Sequence, residues 1–192
     1  MHLSDGPTGF AGVVLAGGVA ARLDGADKSS IEHAGRTLLD WALDAYLDAG
    51  EVVVVGDPRP TSRPVTFTRE DPRHGGPVAA LLTGYDALAR PPRTLGVLAV
   101  DMPRVTAYTF RRLHEAAEGR DGAFLVDREG RRQLAGVLDA ARLAAVRPSL
   151  EEQHGMSVRR LLEGLDLALV APVGEESSDV DTWADVRDLQ GS

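Results

Sequence analysis

The sequence has 192 residues and no cysteine, and aromatic residues make up only 5% of it. The missing cysteines exclude disulfide bonds, thiolate metal sites and a cysteine nucleophile. No apolar run approaches the roughly 18 residues that a membrane-spanning helix needs. The first residues lack the basic start and apolar centre of a secretory signal. These absences predict a cytoplasmic protein that has no place in a membrane.

Basic residues are outnumbered, with 21 Lys and Arg against 29 Asp and Glu and a formal net charge of −8. A chain this acidic is a poor candidate for nonspecific nucleic-acid binding. The five histidines are dispersed without the spacing of metal ligands. A small cationic pocket can still lie on an acidic surface, so the charge leaves room for a phosphate-rich small molecule.

Short apolar runs alternate along the chain with segments of helical periodicity. Strands are predicted at 12–15, 52–55, 65–68, 94–100, 123–126 and 168–171, and helices at 36–49, 78–89, 107–117, 137–146, 158–165 and from about 182. The alternation is typical of an α/β fold with a largely parallel sheet. The 43% hydrophobic content and the absence of a linker predict one domain over 1–192, with a loose tail at 1–9.

A glycine-rich loop follows the first predicted strand, in the segment V-V-L-A-G-G-V-A-A-R-L-D-G-A-D-K over 13–28. Paired glycines after a buried strand let the backbone pass close to a ligand, because glycine has no Cβ. Backbone N–H groups there, with Arg22 and Lys28, suit a triphosphate. The loop is neither a Walker A loop, because Lys28 follows Asp27 rather than glycine, nor a G-x-G-x-x-G fingerprint.

Three groups follow predicted strands directly: the glycine loop, Gly56-Asp57 and Asp101. Open α/β sheets bind ligands outside the carboxyl ends of their strands, so these groups are expected to meet. A carboxylate at Asp101 can hold Mg²⁺ that bridges substrate phosphates. The alternative is a turn aspartate, which Asp-x-Pro sequences often supply.

The glycine loop resembles the signature L-A-G-G-x-x-x-R-[ML]-x-G-x-D-K of the molybdenum cofactor guanylyltransferase family and related nucleotidyltransferases. The residues that fall on it are Leu15, Ala16, Gly17, Gly18, Arg22, Gly25, Asp27 and Lys28. The resemblance extends over about 12–190. It implies a three-layer α/β/α architecture with a mostly parallel, Rossmann-like sheet of the nucleotide-diphospho-sugar transferase type.

Later segments resemble the same family. The E-D pair at 70–71 and the G-G-P stretch at 75–77 resemble its base-binding segment. This match makes Asp71 and Gly76 nucleotide-binding positions. The strand that ends at Asp101 resembles its metal-binding segment. The stretch D-V-D-T over 179–182 resembles its N-x-N-T segment, with aspartates in place of both asparagines. This match makes Asp181 a second Mg²⁺ ligand that faces Asp101, and helix capping is its alternative role.

The resemblance implies transfer of GMP from GTP to molybdenum-molybdopterin, with release of pyrophosphate and formation of the guanine dinucleotide cofactor. Its catalytic residues are Lys28, Arg22 and Asp101, and its Mg²⁺ ligands are Asp101 and Asp181. Its nucleotide-binding residues are Leu15, Ala16, Gly17, Gly18, Lys28, Gly56, Asp71, Gly76 and Asp101. Partners are GTP or another NTP, a molybdopterin-type phosphate acceptor and, transiently, other molybdenum cofactor proteins.

Two alternatives stay open. Gly56 stands where the guanylyltransferases often have an asparagine, so cytidylyl or other nucleotidyl transfer to molybdopterin or to a sugar or polyol phosphate is the first. A nucleotide-binding protein without catalysis is the second, because Gly56, Asp179 and Asp181 all depart from the family pattern. Arg131 and Arg132 either reach an acceptor phosphate or lie on an exposed hairpin.

Overall fold

The computed structural model describes residues 8–17, 27–70 and 75–189. The strands are β1 Thr8–Leu15, β2 Glu32–His33, β3 Arg36–Thr37, β4 Glu51–Val55, β5 Thr66–Thr68, β6 Pro92–Ala99, β7 Gly122–Val126, β8 Arg132–Asp139 and β9 Leu167–Val170. The helices are α1 Leu38–Ala45, α2 Pro77–Asp86, α3 Ala107–Ala116, α4 Ala140–Ala145, α5 Leu150–Gln153, α6 Val158–Leu161 and α7 Trp183–Leu189, with a 3-10 turn at Lys28–Ser30. None of these helices is long and apolar enough to cross a membrane.

Seven strands form one sheet in the order β5-β4-β1-β6-β8-β7-β9, and β2 and β3 form a separate hairpin. Neighbouring strands run parallel except that β8 is antiparallel to both β6 and β7. Helices α1, α3 and α7 pack against one face of the sheet, and α2, α4 and α6 against the other. Each face of the sheet has its own hydrophobic core. Val14 lies in the core beneath α1, α3 and α7, and Val13 lies in the core beneath α2, α4 and α6, because successive strand residues point to opposite faces. The architecture is the predicted three-layer α/β/α arrangement with a mostly parallel sheet.

The central strands end level with one another. Leu15 at the end of β1 pairs with Val55 of β4 and with Ala99 of β6. Backbone hydrogen bonds continue one residue further, from Ala16 N–H to the Val55 carbonyl at 2.9 Å and from Val100 N–H to the Leu15 carbonyl at 3.1 Å. The segments that follow these three strands therefore leave the sheet at a common edge, as expected.

Two of the sequence-based element assignments are wrong. The loose tail at 1–9 overlaps β1, which begins at Thr8 because that residue pairs with Pro92 of β6; residues 1–7 lie outside the described residues. The helix predicted at 137–146 begins only at Ala140. Val137 and Leu138 continue β8, since both side chains are fully buried between the helix layers. Pairing with β6 and β7 overrides the local helical periodicity there.

Other boundaries shift without changing the element type. The helix predicted at 36–49 is α1, which starts after the two residues of β3 because Thr37 caps it through Asp40 N–H at 3.1 Å. Thr106 caps α3, and Pro77 begins α2. A turn after β7 joins it to β8 in a hairpin.

A pair of facing glycines holds the central sheet close to α1. Gly12 of β1 lies opposite Gly96 of β6. The fully buried ring of Tyr46 covers both, and a Cβ at either glycine would lie 2.6 Å from ring carbons. The Tyr46 hydroxyl donates a 3.1 Å hydrogen bond to the Val13 carbonyl. The ring can approach the sheet this closely only because both positions lack a side chain.

We expect Gly12→Ala to lower the free energy of unfolding by about 1–3 kcal/mol, because the added methyl overpacks the buried Tyr46 ring. Gly9→Ala in the same strand is the control, since a Cβ at Gly9 meets nothing within 4 Å. Urea unfolding of both variants measures the difference. Equal stability of the two variants would contradict this account of the packing.

Candidate functional site

Three residues that are far apart in the sequence meet at the carboxyl edge of the sheet. The Lys28 ammonium lies 2.8 Å from Asp101 Oδ2 and 2.5 Å from Asp181 Oδ1. The side chains of Lys28 and Asp101 are 18% and 23% exposed, whereas that of Asp181 is 44% exposed. The result is a half-buried cation between two carboxylates, open to solvent on the side of Asp181.

Backbone contacts explain why Asp181 reaches Asp101. Val180 N–H donates a 2.8 Å hydrogen bond to the Asp101 carbonyl, and the Val180 side chain is buried in the core. Asp185 then accepts from the N–H groups of Asp181 at 2.9 Å and of Thr182 at 2.6 Å. Thr182 and Asp185 thus cap the start of α7, and the cap also holds the backbone of Asp181.

A buried carboxylate anchors the segment that leads to Asp181. Glu176 is 7% exposed and accepts hydrogen bonds at 2.7 Å from Thr109 Oγ1 and at 2.7 Å from Arg112 Nη1, both on α3. It also accepts from Val173 N–H at 2.8 Å. A carboxylate with this many donors resists removal because each donor would lose its partner. The sequence analysis did not identify Glu176, since nothing local distinguishes it from its exposed neighbours.

Asp27 organises the loop around Lys28. Its Oδ1 accepts from Ser29 N–H at 3.0 Å and from the Ser29 hydroxyl at 2.6 Å, which caps the 3-10 turn. Its Oδ2 forms an ion pair with Arg59. Arg59, in the proline-rich stretch after β4, was missed by sequence reasoning because no motif includes it. Asp27 thus both orients the loop and forms a structural salt bridge.

The electrostatics of the site favour positive charge. Burial lowers the pKa of Lys28, but hydrogen bonds and charge from Asp101 and Asp181 outweigh burial, and the pKa lies above its ordinary value. The ammonium therefore stays charged at neutral pH, and its ion pairs are lost only as the pH rises through that raised pKa. Burial, followed by the charge of Asp181, raises the pKa of Asp179. Further positive charge would relieve this crowding of carboxylates.

Of the remaining predicted residues, some lie at the common strand edge, some lie outside the described residues, and Gly76 precedes α2. Leu15, Ala16, Gly17 and Gly56 lie at the common strand edge, where Gly56 N–H bonds to the Thr68 carbonyl at 2.9 Å. A Cβ at Gly56 would lie 3.0 Å from that of Ala16, so this close approach favours glycine over asparagine. Those that lie outside the described residues are Gly18, Arg22 and Asp71.

Gly76 immediately precedes α2. It has a φ of 94°, which favours glycine, and a Cβ there would lie 3.5 Å from Gly155 Cα. Gly155 N–H also donates a 2.8 Å hydrogen bond to the Gly75 carbonyl. The close approach that the structure shows at Gly76 is thus to the turn after α5, a contact absent from the sequence analysis.

Asp101 and Asp181 suit a Mg²⁺ site that is shared between the protein and its substrate. Among the described residues, no three His, Cys, Asp or Glu side chains form a group that could hold a metal ion. Mg²⁺ is commonly held by one or two carboxylates, with substrate phosphates and water completing its octahedron. Two carboxylates that already share one cation meet this requirement, whereas they would not form a closed protein cage.

A polar pocket of about 610 Å³ adjoins this site. Its walls are the β7–β8 hairpin within 127–133 and the segment within 174–179 that ends at Asp179. Arg131 is paired with Asp127 at 2.7 Å, but Arg128 has no ion pair with any described residue. Arginines of the hairpin are therefore exposed, as one alternative predicted, and they also line a cavity, as the other required.

We expect Glu176→Ala to lower the free energy of unfolding by about 2–4 kcal/mol, because it leaves Arg112 and Thr109 without their buried acceptor. Glu175→Ala is the matched control, since Glu175 is 55% exposed and its pair with Arg104 lies at the surface. The control should change stability by less than about 1 kcal/mol. Urea unfolding distinguishes them, and a similar loss in both would refute the anchoring role.

Comparison with known proteins places the chain in a family. The family model described as the MobA-like NTP transferase domain matches residues 12–170. A protein of Opitutus terrae named "Probable molybdenum cofactor guanylyltransferase" is 30% identical over 189 residues, which cover 94% of this chain and 93% of that protein.

Solved structures agree with the fold. The 2-C-methyl-D-erythritol 4-phosphate cytidylyltransferase of Thermus thermophilus superposes with a TM-score of 0.70 at 22% identity, over 93% of this chain and 96% of its own. A Mycobacterium tuberculosis protein in complex with manganese gives a TM-score of 0.67 at 19% identity, over 97% and 100%. These likenesses confirm the nucleotide-diphospho-sugar transferase fold. The chain belongs to the MobA-like NTP transferase family and is a nucleotidyltransferase.

Proposed function

We propose that the protein transfers GMP from GTP to molybdenum-molybdopterin and releases pyrophosphate. The observation that carries this proposal is the meeting of Lys28, Asp101 and Asp181 at the edge where the glycine loop leaves β1. The relative in Opitutus terrae supplies the donor and the acceptor through its name. We place the reaction in the cytoplasm and assign it to one domain over 1–192, with transient contact to other molybdenum cofactor proteins.

The reaction requires the approach of two anions. A terminal phosphate oxygen of the acceptor attacks the α-phosphorus of GTP, and the bond from that phosphorus to the bridging oxygen of the β-phosphate breaks. Because the attacking oxygen already carries negative charge, the site needs no strong general base. Catalysis then depends on positioning and on cations near the α-phosphate and the leaving pyrophosphate.

The chain offers two kinds of positive charge for this purpose. Lys28 is a compact ammonium on a flexible stem and suits phosphate oxygens, and Arg22 enters through the loop signature. Mg²⁺, when bound to Asp101 and Asp181, supplies further charge at the phosphates. The N–H groups of the loop after Leu15 orient the triphosphate. We assign the base to Gly76 and Asp71, because their segment resembles the base-binding segment of the family.

The acceptor binds in the pocket between the β7–β8 hairpin and 174–179. Asp179 lines this pocket and stands two residues before Asp181, so an acceptor phosphate held there would lie near the proposed metal ligands. Arg128 and Arg132 line it and supply cations that suit a phosphate-bearing acceptor. The volume of about 610 Å³ is within the range of small-molecule sites.

We expect Asp101→Asn to reduce turnover at least about 100-fold, because a neutral amide cannot hold the metal and its charge at the phosphates. Pyrophosphate release from GTP and molybdopterin with Mg²⁺ measures it, and sugar and polyol phosphates serve as competing acceptors. Asp166→Asn is the control, since Asp166 is 64% exposed and pairs with Arg120 at the surface. Turnover of Asp101→Asn close to that of the control would refute the assignment.

Base preference decides between guanylyl and cytidylyl transfer. Gly56 and the fold shared with a cytidylyltransferase keep the second candidate open. We expect GTP with Mg²⁺ to raise the melting temperature more than CTP, ATP or UTP does, since a ligand at about 100 times its Kd adds about 2.7 kcal/mol to folding. A larger shift with CTP would favour cytidylyl transfer. Strong GTP binding without product from any acceptor would instead favour a non-catalytic nucleotide-binding protein.

A further inference from the structure

We propose that Lys28 is an internal substitute for the divalent cation, and that its ammonium must leave Asp101 and Asp181 when the metal binds. The inference rests on the metal site of the proposed function, and it adds that metal binding there displaces Lys28. Metal binding and the release of Lys28 toward the phosphates are one exchange, so the lysine reaches the nucleotide only in the metal-loaded state.

The geometry shows that the two cations compete for one place. Asp101 and Asp181 each direct an oxygen at the same nitrogen, at 2.8 and 2.5 Å. An ion placed between those two oxygens would occupy the volume of the ammonium. Asp101 is only 23% exposed at its side chain, so it has little freedom to turn to a second cation elsewhere.

The backbone that carries the two carboxylates is held in place, whereas the Lys28 side chain is long and flexible. The bond from Val180 N–H to the Asp101 carbonyl and the cap by Asp185 hold the backbone on both sides of Asp181. Lys28 instead carries its charge on four rotatable methylenes. Its outward movement costs two ion pairs, which a metal ion of double charge replaces at the same carboxylates.

A neighbouring cation shows the contrast. Arg59 also lies at this edge, but its guanidinium is paired with Asp27, which in turn caps the turn that begins at Lys28. Arg59 therefore supports the loop without touching Asp101 or Asp181 in any hydrogen bond of the structure. Of these two cations, only Lys28 occupies the place between the carboxylates for which a metal ion would compete.

The exchange predicts weak metal binding in the absence of nucleotide. A bound triphosphate offers Lys28 new anionic partners, so it lowers the cost of moving the ammonium aside. Metal and nucleotide should then bind cooperatively, and removal of the Lys28 charge should uncouple them.

Mn²⁺ alone, titrated into the purified full chain and followed by electron paramagnetic resonance of the free ion, tests this directly. We expect Lys28→Met to bind Mn²⁺ at least about tenfold more tightly than the unchanged protein, since the ammonium that occupies the place between Asp101 and Asp181 is gone. Lys28→Gln is the second variant, in case the apolar side chain impairs folding. Lys28→Arg keeps the charge and Arg59→Met removes the neighbouring cation, so neither should bind Mn²⁺ more tightly.

Asp181→Asn combined with Lys28→Met should remove the gain, which locates the tightened site. Unchanged or weaker Mn²⁺ binding in both Lys28→Met and Lys28→Gln would overturn the exchange. The proposed function is assessed separately by Mn²⁺ with GTP on the unchanged protein: binding there, without tightening in the variants, rejects only the exchange. Loss of binding even with GTP would reject the metal site together with the exchange.

Discussion

Two carboxylates that share one ammonium are the interaction on which the site depends. Lys28 comes from the loop after β1, Asp101 from the end of β6 and Asp181 from the segment before α7. No one of these elements would define a cleft alone. The level ends of β1, β4 and β6 supply the edge, and the bond between Val180 and Asp101 brings the last part of the chain back to it.

The aspartates at 179 and 181 make the site acidic, where the family resemblance implies asparagines at both positions. An asparagine in the place of Asp181 could accept a hydrogen bond from Lys28, but it would not add a charge. With aspartate, the ammonium is held by two anions, and burial, together with the charge of Asp181, raises the pKa of Asp179. The substitution strengthens the demand for cations at the place where phosphates are expected.

The sequence predicted what local patterns and motifs encode. Alternating apolar runs predicted an α/β fold with a largely parallel sheet, and the family resemblance implied its three layers. The glycine loop and the strand end at Asp101 were expected to meet, and Lys28 does contact Asp101. It failed where distant contacts decide. Val137 and Leu138 have helical periodicity but complete a strand buried on both faces. Glu176 and Arg59 became visible only through partners 67 and 32 residues away.

The contact between Gly155 and the loop at Gly75 has a consequence for engineering. Because the turn after α5 supports the loop before α2 from outside, substitutions near 155 shift that loop without changing its own residues. If the base binds at Gly76 as proposed, libraries meant to alter the choice of nucleobase would diversify both turns at once, because each turn sets the position of the other.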